Sequence, residues 1–143
     1  MSATELRSQL NARISYMYAT GILDEYYQEL HAPRDEGFVP EVINMFLHDA
    51  DWMLNDITGL LYRPVVDFEI VGELLHLLKA CSGSFGARKV NLACEHFLQF
   101  YQAKSKEGCL MALSLLRNEF YDVRDRLQTI MQMEQQITAL GTK

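Results

Sequence analysis

Several things are scarce in this 143-residue chain, and each scarcity removes a class of protein. Cysteine occurs three times, at Cys81, Cys94 and Cys109, never in CxxC spacing. An odd, unpaired set argues against a disulfide framework or a zinc site. The three read as reduced thiols in an intracellular compartment, two of them buried. Only three prolines interrupt the chain, which leaves room for long helices. No run approaches the ~18 apolar residues that a membrane span needs, and Glu5 and Arg7 break up the first stretch, so no secretory signal is expected. Basic residues are outnumbered, 13 Lys and Arg against 19 Asp and Glu, for a net charge of -6. Broad binding to nucleic acid or to an anionic membrane needs a basic face, so protein partners are favoured. Internal repeats, low-complexity tracts and β-type alternation are all missing.

What is present is apolar and helical in period. Hydrophobic residues make up 49% of the chain, with recurrent Leu, Met, Gln and Glu, a composition that favours a soluble all-α fold. Residues 1–143 are expected to form one domain, large enough to bury roughly two-thirds of the unfolded surface. Ser2-Ala-Thr-Glu5 has capping-box spacing and precedes Leu6, Leu10, Ile14 and Met17, so helix one starts there and stops at Gly21. Asp24 caps a short second helix to about His31, and 32–37 is a connector. Helix three is expected over Phe38–Tyr62, with Pro40 in its first turn and Val42, Phe46, Met53, Leu54, Ile57 and Leu61 inward. Asp67 caps helix four, which finishes near Ser82 to Ser84.

Helix five follows from about Gly86 to Lys104, burying Val90, Cys94, Phe97 and Tyr101. The last helix starts near Gly108 and continues to about Leu140, roughly 45 Å at 1.5 Å per residue, with its final turns reaching beyond the bundle. Helices three to six are expected to form an antiparallel four-helix bundle, with helices one and two packed across one end.

Helix four carries the candidate site. At about 100° per residue, Gly72, Glu73, Lys79, Ala80 and Gly83 fall within about 60° of His76. Ile70, Val71, Leu74, Leu75, Leu77, Leu78 and Cys81 fill a wide apolar arc on the other side, the kind that enters a core. His76 therefore points outward from a clearing of small residues, one turn from an ammonium. A neutral imidazole is a nucleophile near physiological pH, and Lys79 would partly neutralise an incoming phosphoryl group. Read from geometry alone, the same face is also compatible with an idle surface histidine, with Gly72 and Gly83 marking close packing or a helix end.

The segment His76-Leu-Leu-Lys-Ala-Cys-Ser-Gly-Ser-Phe-Gly-Ala87, followed by Lys89-Val90 and Cys94, resembles the phosphoacceptor segment of plant histidine-containing phosphotransfer proteins. Similarity extends to Gly37-Phe-Val-Pro-Glu-Val42, Pro64-Val-Val-Asp-Phe68 and Gly108-Cys-Leu-Met-Ala-Leu113. The resemblance implies a multistep phosphorelay. His76 receives a phosphoryl group from the receiver domain of a hybrid sensor kinase and passes it to a response regulator, with Lys79 stabilising the group. Gly72, Ala80 and Gly83 would give clearance for the receiver loops.

The resemblance further implies a monomeric carrier rather than a kinase, without a cofactor of its own because magnesium belongs to the receiver. It also implies a part in hormone signalling, cytokinin first, and residence in cytoplasm and nucleus. Leu77, Ala80 and Cys81 replace the glutamine, glycine and serine usual in that family, changes expected to bear on transfer rate and partner choice. Leu23, Gln28, Met45, Asp49 and Leu77 are candidate docking positions.

Three other readings compete. One is an attenuated or decoy phosphotransfer protein that binds receivers without relaying, and another is a purely structural helical adaptor using the charged last helix, including Glu119, Asp122, Arg124, Asp125 and Arg126. The third, a metal enzyme, is disfavoured: Glu73-x-x-His76 is half of a di-iron motif, and His31, His48 and His96 supply no second half.

Overall fold

The structure, a computed structural model, describes residues 1–31 and 38–141. Six helices account for almost all of them: α1 Ala3–Ala19, α2 Glu25–His31, α3 Phe38–Leu61, α4 Phe68–Phe85, α5 Arg88–Gln102 and α6 Lys106–Gly141. The expected connector at 32–37 lies outside the described residues. Where a side chain was expected to cap a helix, it does. Ser2 accepts from the amide of Glu5 at 3.1 Å, Asp24 Oδ1 from Tyr26 at 3.0 Å and Asp67 Oδ1 from Ile70 at 3.3 Å. Each satisfies an amide that the helix itself leaves unpaired.

Helices α3, α4, α5 and α6 pack in cyclic order, each against its chain neighbour and α3 against α6. The links are short, 62–67, 86–87 and 103–105, as expected of an up-and-down bundle. One apolar core runs from Leu6 to Ile137. Phe46 and Phe85 stack at 4.3 Å between centroids, and Tyr27 meets Phe85 at 5.4 Å.

Helix α4 extends slightly past Ser84 because Gly86, at φ 95°, supplies the left-handed residue that closes it and donates back to the Ser82 carbonyl. Consequently α5 starts at Arg88 rather than Gly86.

Two placements differ from expectation. The 36-residue α6, about 54 Å at the standard rise, does not extend unaccompanied. Helix α1 packs along it, Arg126 lies 5.0 Å over the Tyr16 ring, and Ile130, Met133 and Ile137 are buried. The apolar stripe of α1 therefore covers the later turns of α6, and α1 is not a cap across the end of the bundle. Helix α2 packs against α4 instead, where the Asp24 amide donates to the Gly86 carbonyl at 3.0 Å.

The second difference concerns the outer surface of α4. Ile70 and Leu77 are 41% and 50% exposed, so the apolar arc entering the core is narrower than its sequence suggests. Val71, Leu75, Leu78 and Phe85 fill the space between α3 and α5, and Ile70 and Leu77 are left about half exposed outside it.

Candidate functional site

His76 stands exposed on the middle of α4. Its Nδ1 lies 2.7 Å from the carbonyl oxygen of Gly72, one turn back. A carbonyl only accepts, so Nδ1 donates to it, and in the neutral ring Nε2 then keeps its lone pair. The imidazole opens onto a shallow depression of about 550 Å³ lined by Tyr26, His76, Lys79, Ala80, Gly83, Ser84 and Asn91. Open and shallow, it does not enclose a small molecule as an ordinary ligand pocket does.

Lys79 lies in this depression, and its ammonium is 3.4 Å from Glu95 on α5. The backbone at Lys79 is held from two sides. Its carbonyl accepts from Asn91 Nδ2 at 2.8 Å and from the buried Ser82 hydroxyl at 3.1 Å. Asn91 thus ties α5 to α4 directly beside the site. Behind it, burial pushes the Cys94 thiol up to about 12, with Lys79 pulling weakly the other way. Cys81 and Cys109 are also raised by burial, so all three thiols are poor nucleophiles at neutral pH.

The small residues divide by what occupies the space they leave. Ala80 is exposed at the rim of the depression. Gly83 also lines it, but a β-carbon there would come within 3.1 Å of the Asn91 amide nitrogen, so part of its space serves that bridge. Gly72 does not provide clearance for a partner. It is buried, and a β-carbon on it would overlap the Tyr101 ring, 2.6 Å from Cε1 and closer still to Cζ and the hydroxyl. The space left by Gly72 belongs to Tyr101, whose ring is half-buried and meets His76 edge-on at 6.4 Å and 84°.

Among the docking candidates, Gln28 and Asp49 are exposed, as are Met45 at 64% and Leu77 at 50%. Leu23 is not, at 1%. The chain turns at Gly21 and folds Leu23 back under α1, its amide donating to Met17 at 3.2 Å, so Leu23 is core. Sequence reasoning missed Tyr26, Asn91, Glu95 and the contact of Tyr101 with His76. Asn91 and Glu95 flank the buried stripe of Val90 and Cys94, and that flanking position was the available signal.

Among the described residues no cluster of His, Cys, Asp or Glu has an arrangement suited to a metal ion. No described helix is long and apolar enough to cross a membrane. A helical bundle that presents an imidazole outside its core, bonded through Nδ1 to its own helix, suits chemistry between proteins better than catalysis in a cleft.

Comparisons with known proteins agree. The Hpt domain family model matches residues 41–139. The chain is 48% identical to histidine-containing phosphotransfer protein 2 of rice, Oryza sativa subsp. japonica, covering all of this chain and 99% of that one. A crystal structure of a histidine-containing phosphotransfer protein from maize superposes with a TM-score of 0.88 at 46% identity, covering 92% of this chain and 99% of the other. One from Medicago truncatula gives 0.91 at 29%, covering 95% of each. The chain belongs to the Hpt family of histidine-containing phosphotransfer proteins and is a phosphorelay intermediate.

Proposed function

We propose that His76 is the residue that carries the phosphoryl group. The observation that carries this reading is the bond from Nδ1 to the Gly72 carbonyl, which in the neutral imidazole leaves the lone pair on Nε2 of an exposed ring. The Nε2 lone pair attacks the phosphorus of an aspartyl phosphate on a receiver domain. The new N–P bond forms as the P–O bond to the aspartate breaks, and the carboxylate departs with that electron pair. No proton has to leave His76, because the one on Nδ1 stays against Gly72. The reverse step delivers the group to the aspartate of a second receiver.

Lys79 supplies positive charge to the phosphoryl oxygens, and Ala80 and Gly83 leave room for the receiver loops. Met45, Asp49, Gln28 and Leu77 form the edges of the docking surface. The whole of 1–143 acts as one monomeric carrier without kinase activity of its own, between the receiver domains of hybrid histidine kinases and response regulators. Similarity to the rice protein is consistent with a place in plant signalling; cytokinin is the stimulus proposed, and cytoplasm and nucleus the compartments.

Transfer from a radiolabelled phospho-receiver tests this. The wild-type chain takes up label and His76→Gln does not, while both bind the receiver. Label on His76→Gln would move the acceptor elsewhere. Undiminished binding with no label on either chain would favour the decoy, and label acquired from ATP alone would contradict the carrier role.

A further inference from the structure

Three observations meet at one point beneath His76. Gly72 lacks a β-carbon where one would overlap the Tyr101 ring. The carbonyl of the same glycine accepts from His76 Nδ1 at 2.7 Å, and the Tyr101 ring stands edge-on to the imidazole, 6.4 Å away at 84°. From these we infer that Tyr101, seated in the notch at Gly72, is a positioning residue that holds the His76 ring in the rotamer and tautomer needed for transfer. The inference deepens the assignment of His76 as acceptor and rests on it for its functional consequence.

An exposed helical histidine ordinarily moves among staggered rotamers, and its proton moves between ring nitrogens according to which one finds an acceptor. Here the acceptor exists only while the ring lies back over the preceding turn. Tyr101 adds a wall beside that position. It reaches from near the C-terminal end of α5, and its own placement depends on the vacancy at Gly72. A methyl group at 72 would displace it. The contact with His76 is ring to ring and does not involve the phenol hydroxyl. Phenylalanine should therefore serve where aliphatic residues do not.

The test combines nitrogen-15 NMR of the His76 ring with transfer rates from a phosphorylated receiver domain, on the full chain. Wild type and Tyr101→Phe are expected to show protonation at Nδ1 and equal rates. Tyr101→Leu, which keeps apolar bulk, and Gly72→Ala should show averaging between tautomers. Their initial rates should fall about three- to tenfold, the lower figure being the loss expected when one of three staggered wells is no longer selected.

Thermal melting of each variant separates loss of fold from loss of positioning, and Tyr101→Phe provides the rescue that simple packing damage would not. Tyr101→Leu that folds, keeps the Nδ1 proton and transfers at the wild-type rate overturns the inference. Failure of the acceptor assignment would look different: His76→Gln would take up label whatever the ring spectra show.

Discussion

Gly86 is where three parts of the molecule depend on one missing methyl group, and Gly86→Ala is accordingly the most informative single substitution for the fold. The residue has φ 95° and ψ 18°, a left-handed conformation that costs an L-residue about 1–2 kcal/mol. An added β-carbon would also lie 2.8 Å from Asp24 Oδ1 and 2.8 Å from Tyr27 Cβ, with the Tyr27 amide nearer still. The Asp24 carboxylate could swing aside, but the other two contacts belong to the first turn of α2 and yield only if that helix moves. Overpacking of this kind costs about 1–3 kcal/mol.

The sum is about 2–5 kcal/mol. At about 3–4 °C per kcal/mol for a domain of this size, Tm should fall by about 6–20 °C. Gly59→Ala, in the interior of α3, is the internal control, because an added β-carbon there meets nothing within 4 Å among the described residues. It should stabilise by about 0.5–1 kcal/mol through helix propensity. Thermal and urea melts of both variants decide the matter. A Gly86→Ala protein within about 1 kcal/mol of wild type would refute the docking of α2 through this residue. Displacement of α2 should also carry Tyr26 away from the depression beside His76.

Leu77→Gln should leave Tm within about 2 °C, because the side chain is already half exposed, while changing affinity for a receiver domain. A large fall in Tm would show that Leu77 belongs to the core. Thr58→Val removes the hydroxyl that accepts from Arg117 Nη2, on a side chain whose buried Nε has no hydrogen-bond partner among the described residues. Urea melts should show a loss of about 1–3 kcal/mol, largely abolished when Arg117→Met is added.

Alkaline stability supplies a fourth test. Burial raises the Cys94 thiol from 9.0 to about 12, so between those values the unfolded chain holds fewer protons than the folded one. Stability is therefore complete below pH 9 and declines above it by up to about 1.4 kcal/mol per pH unit for this group. Cys94→Ala should flatten that slope in urea melts between pH 9 and 11.

Helix starts were legible because capping is local: Ser2, Asp24 and Asp67 each reach an amide two or three residues onward. The wheel around His76 also predicted its exposure, since that depends on α4 alone. What could not be read depends on neighbours. Gly72 and Ala80 are both small residues near the same histidine. One lies under an aromatic ring and the other faces solvent, and only the placement of α5 separates them. Leu23 failed for a related reason. Its position after a turn carries no periodicity, and the turn at Gly21, φ 76°, folds it inward. The long period of α6 correctly indicated a continuous helix, but nothing within it indicated that α1 would cover its later turns.

The arrangement at Lys79 combines a fixed backbone with a displaceable charge. Asn91 and Ser82 donate to its carbonyl, so α4 is tied to α5 at this residue. Its ammonium is held differently, by Glu95 at 3.4 Å with side chains 36% and 51% exposed. Exposed pairs of this kind are worth about 0–1 kcal/mol, whereas a phosphoryl group brings nearly two negative charges and three strong acceptors. On the proposed reading, the phosphoryl group outcompetes the carboxylate when it arrives, and Glu95 takes the ammonium back when it leaves. A stronger, buried partner would have kept the charge from the phosphate. With no partner, the long side chain would wander over rotamers away from the site. A weak ion pair on the adjacent helix avoids both, which suits a carrier that must accept and release the same group repeatedly.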